Sequence, residues 1–338
     1  MGKIKIGING FGRIGRNAFK IAFERSDIEI IAINDLTDAK TLAYLLKHDN
    51  NYGTYQRDVT YSDDEIIVGD QHIKILARDN PAGIPWGDLG VDIVIESTGR
   101  FTTREYAAMH IEAGAKKVVI GSPARDEAVD IIVIGVNEDV IKSENAIISN
   151  ASPTTNSVGS LLAILDGEFG VQKSMLMTIH SYTSSQTLVG SSANDLREGR
   201  SASENIVPST TSAVASLAKA LPQLEGKIDG LSVRVPTSVV SLSDVTVLLG
   251  RNTTANKINE VITRAVSEPF YQGILGVSNE PLVSRDYIGN SHSGVVDLLL
   301  TKVVGGNMAK IMVWYDNEWG YCNRLVELVA DIGRGLHN

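Results

Sequence analysis

Cysteine is almost absent from this chain. Cys322 is the single one in 338 residues, so no intrachain disulfide can form. A reducing compartment, the cytoplasm, is the expectation. Long apolar runs are missing too: none approaches the ~18 residues that span a membrane. The chain enters a strand pattern at Ile4 with no leader-like stretch before it. Nor is there a block of Lys or Arg. With a formal net charge of −9, the sequence argues against nucleic acid or an anionic membrane as main partner. Internal repeats, low-complexity tracts and metal-ligand spacings are lacking as well. What remains is ordinary: 43% hydrophobic and 21% charged residues, long enough for two domains with separate cores.

The first half alternates strand and helix. Ile4, Ile6 and Ile8 alternate with Lys3, Lys5 and Gly7, which reads as a strand. It leads into Gly10-Phe11-Gly12-Arg13-Ile14-Gly15, a GxGxxG, and helical spacing follows at Ile14, Ala18, Ile21 and Ala22. A second strand over 28–33 closes on Asp35. A strand before, a helix after and an acid beyond the second strand make this turn a dinucleotide site. Gly10 permits the tight turn, and Gly12 lets backbone N–H groups approach a pyrophosphate at the helix start. Asp35 can accept hydrogen bonds from both adenosine ribose hydroxyls and would repel a 2′-phosphate, which favours NAD. The plainer reading makes Asp35 a surface turn residue. A helix over 41–47 and strands over 91–96, 117–120 and 131–134 continue the alternation, each strand ending in turn residues.

At the join, a strand over 146–148 turns off through Ser149 to Ser152. Val158, Leu161, Leu162 and Leu165 fall at i, i+3, i+4 and i+7, which predicts a helix from about 153 to 166 with Gly167 as its stop. Ser152 is a natural N-cap and Pro153 a natural first helical residue. Beyond it, strands are expected over 174–180, 230–235, 239–249 and 295–304, with Gly305-Gly306-Asn307 turning the last one back to 309–314. Amphipathic helices fit 212–221 and 254–266.

Taken together, Ile8 to Arg16, Asn34-Asp35, Arg78-Asp79, Glu96 to Gly99, the segment Ser149 to Ser157, Arg234 to Thr237 and Trp314 to Tyr321 resemble, in order and over the whole length, the phosphorylating glyceraldehyde-3-phosphate dehydrogenases. The resemblance implies an α/β chain: a Rossmann NAD domain over 1–152, an α+β catalytic domain with a mixed, mainly antiparallel sheet over 153–315, and a C-terminal helix over 316–338 returning to the first domain. It also implies a homotetramer acting on a small phosphorylated metabolite. Its cofactor residues match Gly10, Gly12, Arg13, Ile14, Asp35, Arg78, Ser97 and Thr98, with Asn317 holding the nicotinamide carboxamide. His180 matches the histidine that activates the thiol and shuttles the proton. Thr183 and Arg234 match the clamp on the substrate phosphate. Ser152, Thr154 and Thr211, beside Ser212, match a second anion pocket, and Arg197 a further anion contact. The stretch 183–204 looks like the family's S-shaped loop, at a subunit contact and near the cofactor.

The departures weigh as much. Pro153 stands where the family has its nucleophilic cysteine. Ser157, Ser185, Ser212, Ala215 and Gly121 also depart from the usual residues. Ser191-Ser192 resembles the pair found in NADP-tolerant members, so NADP use stays open although Asp35 is kept. The family reaction needs a thiolate to attack an aldehyde and to leave from a thioester. Proline offers no heteroatom and no backbone N–H for the oxyanion, and one such donor is worth about 3 kcal/mol. Ser152 and Thr154 are unactivated hydroxyls, and Cys322 shares an apolar helix face with Leu325, Val326 and Val329. Thioester and acyl phosphate formation are therefore expected to be lost. Two readings stand: direct hydride transfer on a small phosphorylated aldehyde or alcohol with His180 as acid and base, or an inactive NAD-binding regulatory or interaction protein.

Overall fold

The computed structural model describes residues 2–141 and 144–336. The chain divides into two compact units: Met1–Ile132 with Asp139–Ala151 and Cys322–Asn338, and Val133–Glu138 with Ser152–Tyr321. Met1, 142–143 and the last two residues of the predicted 316–338 segment lie outside the described residues. No helix among the described residues is long and apolar enough to cross a membrane.

The first unit carries β1 (Ile4–Asn9), α1 (Arg13–Phe23), β2 (Ile28–Asn34), α2 (Ala39–Lys47), the two-residue strands β3 (His48–Asp49) and β4 (Gly53–Thr54), then β5 (Val59–Tyr61), β6 (Glu65–Val68), β7 (Gln71–Leu76), β8 (Ile93–Glu96), α3 (Arg104–Glu112), β9 (Lys117–Ile120), β10 (Asp130–Ile131) and β11 (Ile147–Ser149). Its nine-stranded sheet runs β10-β11-β9-β8-β1-β2-β7-β6-β5. The strands from β10 to β7 are parallel, and β6 and β5 fold back antiparallel. The order reverses at β1: β2 lies on one side and β8 on the other. This is the doubly wound arrangement, and its switch point is where such sheets bind ligands. The alternation read in β1 buries Ile4, Ile6 and Ile8. Phe11 meets Phe19 of α1 edge-on at 5.6 Å.

The second unit carries α4 (Pro153–Phe169), β12 (Val171–Ser181), β13 (Val207–Ser209), α5 (Ala213–Ala220), β14 (Ile228–Val235), β15 (Ser241–Leu249), α6 (Ala255–Ala265), β16 (Leu275–Ser278), β17 (Gly294–Asp297), β18 (Lys302–Val304) and β19 (Met308–Tyr315). Helix α7 (Trp319–Leu336) follows, and from Cys322 onward it belongs to the first unit. The sheet runs β13-β14-β12-β15-β19-β17-β16, with β18 on β19. It is mixed: β12 with β14 and β16 with β17 are parallel, the other pairs antiparallel. Residues of α4, α5 and α6 share one core with the inward residues of the sheet, among them Leu161, Leu165, Leu217, Ile258, Ile262, Val245, Val247 and Ile311. Burying each large aliphatic side chain is worth ~1.5–3 kcal/mol. Met175, Met177, Leu231 and Met308 of the same sheet are exposed.

Four expected boundaries are corrected. Helix α4 does not stop at Gly167 but runs to Phe169. The stop is Gly170, whose φ of 70° suits glycine and whose N–H returns to Asp166 O. The expected strand over 131–134 is cut short: β10 holds Ile131, the Ile132 N–H still reaches Ser149 O at 3.0 Å, and the Val133 N–H is taken by Asn137 Oδ1 at 2.8 Å. The run 295–304 is broken after Asp297, whose Oδ1 accepts the Leu299 N–H at 3.1 Å and turns the chain. Strand β15 begins at Ser241 rather than 239, because Val240 sits at φ 70°.

Candidate functional site

In the first unit the turn between β1 and α1 has the three glycine roles that a dinucleotide site needs. Gly10 has φ 90°, and a Cβ there would lie 2.8 Å from Thr98. A Cβ on Gly15 would lie 2.1 Å from Gly10 O, so turn and helix pack backbone to backbone. Gly12 is the N-cap of α1 with no side-chain cap, and a Cβ on it would meet open space. The first N–H groups of α1 have no intrahelical partner by geometry, and beside an open glycine they suit an anionic pyrophosphate. Asp35 accepts the Phe11 N–H at 2.7 Å and the Thr37 N–H at 3.0 Å. A carboxylate has about four lone-pair sites, so capacity for ribose hydroxyls remains. The bond to Phe11 was not foreseen: Asp35 also ties the turn to the end of β2.

The other predicted cofactor residues do different work. The Ser97 hydroxyl donates to Gly10 O at 2.7 Å, and the Thr98 hydroxyl donates to Glu96 Oε1 at 2.5 Å. Both side chains build the turn. Arg78 is held by its peptide, N–H to Asn34 Oδ1 and C=O from Asn34 Nδ2, each at 2.8 Å. The Arg13 guanidinium pairs with Asp49 and lies over the Tyr52 ring, while Ile14 is half-buried at the start of α1.

In the second unit Ser152 caps α4, its hydroxyl accepting the Thr155 N–H at 3.0 Å. Pro153 is the first helical residue, as its fixed φ allows. Ser152 Oγ also lies 2.7 Å from Thr155 Oγ1, and Thr154 Oγ1 lies 2.9 Å from Tyr315 Oη. Both hydroxyls are spent on structure. Tyr315 lies 2.6 Å from Thr178 as well, and burial pushes its phenol up.

His180 and Arg234 are register partners on the parallel strands β12 and β14. His180 is 7% exposed. Its Nδ1 lies 2.6 Å from Arg234 Nη1 and 2.7 Å from Ser181 O. Nδ1 cannot both donate to the carbonyl and accept from the guanidinium. Arginine has only donors and stays protonated, so Nδ1 accepts and the ring proton sits on Nε2. Burial first, and the Arg234 charge second, hold the imidazole down at about 3, against 6.5 ordinarily. This corrects the expectation of a near-neutral base. It also shows Arg234 engaged on His180, with its Nε buried and without a partner, rather than standing clear as an anion clamp.

The remaining predicted residues are dispersed. Thr183 Oγ1 lies 2.9 Å from Ser185 Oγ, Thr211 Oγ1 accepts the Ala213 N–H, and Ser212 and Arg197 are exposed. Asn317 is tightly placed: Oδ1 accepts from Ser181 Oγ at 3.0 Å and Ser241 Oγ at 3.1 Å. Its Nδ2 makes no hydrogen bond among the described residues, which suits it to a ligand carbonyl such as a carboxamide. Ser241 follows Val240, a buried β-branched residue in the left-handed region. That costs ~1–3 kcal/mol, and no sequence pattern signalled it.

Residues 4–104 match the family model described as glyceraldehyde 3-phosphate dehydrogenase, NAD binding domain, and residues 152–317 match its C-terminal domain. The chain is 48% identical over 327 residues to "Glyceraldehyde-3-phosphate dehydrogenase 1" of Bacillus cereus, covering 96% of this chain and 97% of that one. It is 47% identical over 335 residues to the glyceraldehyde-3-phosphate dehydrogenase of Geobacillus stearothermophilus, covering 98% and 99%. The Mycolicibacterium smegmatis protein of the same name is also 47% identical, over 341 residues, covering 98% and 99%.

Proposed function

Because the chain belongs to the glyceraldehyde-3-phosphate dehydrogenase family, with NAD as its cofactor, we propose that it is an NAD-dependent oxidoreductase that has lost acyl-thioester chemistry. The observation that carries this is Pro153 at the first position of α4, where the family's nucleophilic cysteine is expected. The chain's one thiol, Cys322, is buried on α7 in the first unit. NAD supplies a hydride acceptor when bound. The chain's residues would do the rest. Gly10, Gly12 and the start of α1 would hold the pyrophosphate, Asp35 the ribose hydroxyls, and Asn317 the carboxamide. Arg234 would have to turn away from His180 and, with Thr183, take the phosphate of a small phosphorylated aldehyde or alcohol, glyceraldehyde 3-phosphate by analogy with the relatives. With Arg234 drawn off to that phosphate, the Nδ1 lone pair it now occupies would be free, and His180 would accept the substrate's hydroxyl proton there and later return it.

A second reading has its own support. An imidazole held at about 3 by burial and by Arg234 is a weak proton acceptor at neutral pH. That favours a non-catalytic, NAD-binding regulatory or interaction protein. Steady-state assays with NAD and glyceraldehyde 3-phosphate or its reduced analogues, with and without inorganic phosphate, separate the two. Phosphate-independent turnover lost in His180→Ala supports the oxidoreductase. Tight NAD binding without turnover supports the second reading. Phosphate-dependent acyl phosphate formation refutes both.

A homotetramer is part of the proposal. The exposed methionines and Leu231 on the second sheet, and exposed Leu188, Val189, Leu196 and Ile206 in the 183–206 loop, are surface that association would cover. Light scattering at micromolar protein tests it. The cytoplasm is the proposed location, in keeping with a chain that has one cysteine.

A further inference from the structure

Glu96, the last residue of β8, has no exposed surface. Its carboxylate accepts four hydrogen bonds. Thr98 N at 2.8 Å and Thr98 Oγ1 at 2.5 Å donate to Oε1. Asn9 Nδ2 lies at 2.5 Å and His110 Nε2 at 3.1 Å from Oε2. Each arm reaches further. Trp86 Nε1 lies 3.0 Å from His110 Nδ1. An indole N–H can only donate, so His110 Nδ1 accepts and Nε2 carries the proton toward Glu96. On the other side, Arg78 N–H donates to Asn34 Oδ1, Asn34 Nδ2 donates to Asn9 Oδ1 at 2.8 Å, and Asn9 Nδ2 donates to Glu96.

Each arm therefore carries an unbroken run of bonds that donate toward Glu96, with one side bond returning from Asn34 Nδ2 to Arg78 O. The direction is fixed at both ends: by the indole of Trp86, and by the Arg78 peptide, which uses both ends of the Asn34 amide. Flipping Asn9 or Asn34 would set donor against donor. Both arms end on Oε2 and the Thr98 N–H ends on Oε1, so an acceptor is needed at both oxygens, which a carboxylate supplies. The side chains of Glu96, Asn9 and Asn34 lie at the ends of β8, β1 and β2, the edge that presents the Gly10–Gly15 turn. Thr98, pinned by Glu96, packs against Gly10, and the Ser97 hydroxyl holds Gly10 O.

We propose that Glu96 is a positioning residue for NAD: without touching the cofactor, it fixes the turn and the Arg78 peptide at the geometry that binds the dinucleotide. A carboxamide cannot replace it. Whichever way a glutamine side chain were turned at this position, its NH2 would face either the Thr98 peptide N–H or the Asn9 and His110 donors.

The test is NAD titration calorimetry on the full chain, with thermal melts in parallel, for wild type, Glu96→Gln, Glu96→Asp and Ile66→Ala. Ile66 is fully buried on β6 and outside the network, so it controls for destabilisation alone. Glu96→Gln is expected to raise the NAD Kd tenfold or more, and Glu96→Asp, which keeps the acceptor, to raise it less. Ile66→Ala should lower the Tm with a Kd within twofold of wild type. A Glu96→Gln Kd within twofold of wild type overturns the proposal. So does an Ile66→Ala Kd that rises in step with its lost Tm, because that is what a purely structural role predicts. Should Glu96→Gln fail to fold, 15N shifts of His110 in the wild type decide: a proton on Nε2 supports the one-way network, and a proton on Nδ1 overturns it.

Discussion

Arg234→Met should return basicity to His180. The guanidinium lies 2.6 Å from the imidazole nitrogen, so a protonated His180 would bring two positive charges to about 4 Å apart. At an effective dielectric near 20 that repulsion is at most about 4 kcal/mol. The whole depression runs from 6.5 to about 3, with burial its larger cause and untouched by the substitution. Arg234 therefore accounts for less than half of it, and roughly one to two units should be regained. The other groups facing the ring are the Ser181 carbonyl and the Tyr315 ring, edge-on at 6.1 Å. Both are retained in the variant. Titration of the His180 ring protons by NMR reads the shift. A His180 value in Arg234→Met that stays put or falls would refute the account of Arg234 as the imidazole's repulsive neighbour. Inorganic phosphate, drawn to Arg234, should likewise raise the wild-type value.

The pH dependence of stability follows from the same group. The folded value lies below the unfolded ~6.5, so the unfolded chain takes the proton first. The His180 contribution is intact above about 6.5 and lost as pH falls toward 3, and urea melts across that window should show the decline. Pro153→Cys should create a thiol that iodoacetamide alkylates in the native protein while Cys322 stays protected. It should also bring phosphate-dependent NAD reduction with glyceraldehyde 3-phosphate; alkylation without that activity would mean that Pro153 is not what blocks acyl transfer. Gly15→Ala forces a Cβ to 2.1 Å from Gly10 O, and NAD affinity by calorimetry should fall at least tenfold. Ser152→Ala removes the cap of α4 and should cost about 1 kcal/mol in a denaturant melt.

The doubly wound sheet was legible because its signals are local. Alternation in β1, the glycine spacing and the periodicity of α1 lie within about twenty residues, and each has one physical reading. The boundaries that slipped did so where an apolar run has two. The stretch 132–134 is as buried in a loop as it would be in a strand, and Gly167 is tolerated inside a helix that Gly170 ends. The state of His180 was not legible, because it depends on the pairing of β12 with β14, which sets Arg234 beside it from 54 residues away. The donors that converge on Glu96 were hidden for the same reason: Asn9 is 87 residues distant. Local pattern predicts elements, whereas the protonation of a side chain depends on which elements become neighbours.

Proline at the head of α4 has an effect that reaches beyond chemistry. Its ring narrows the choices open to the unfolded chain and suits the dihedral that the helix start requires, so the folded form gains rather than loses, by roughly 0.4–1 kcal/mol. Catalytic competence and thermal robustness are thus uncoupled at this residue. A preparation of this protein would melt as late as its Pro153→Cys variant, or later, and heat resistance would say nothing about whether it can turn over.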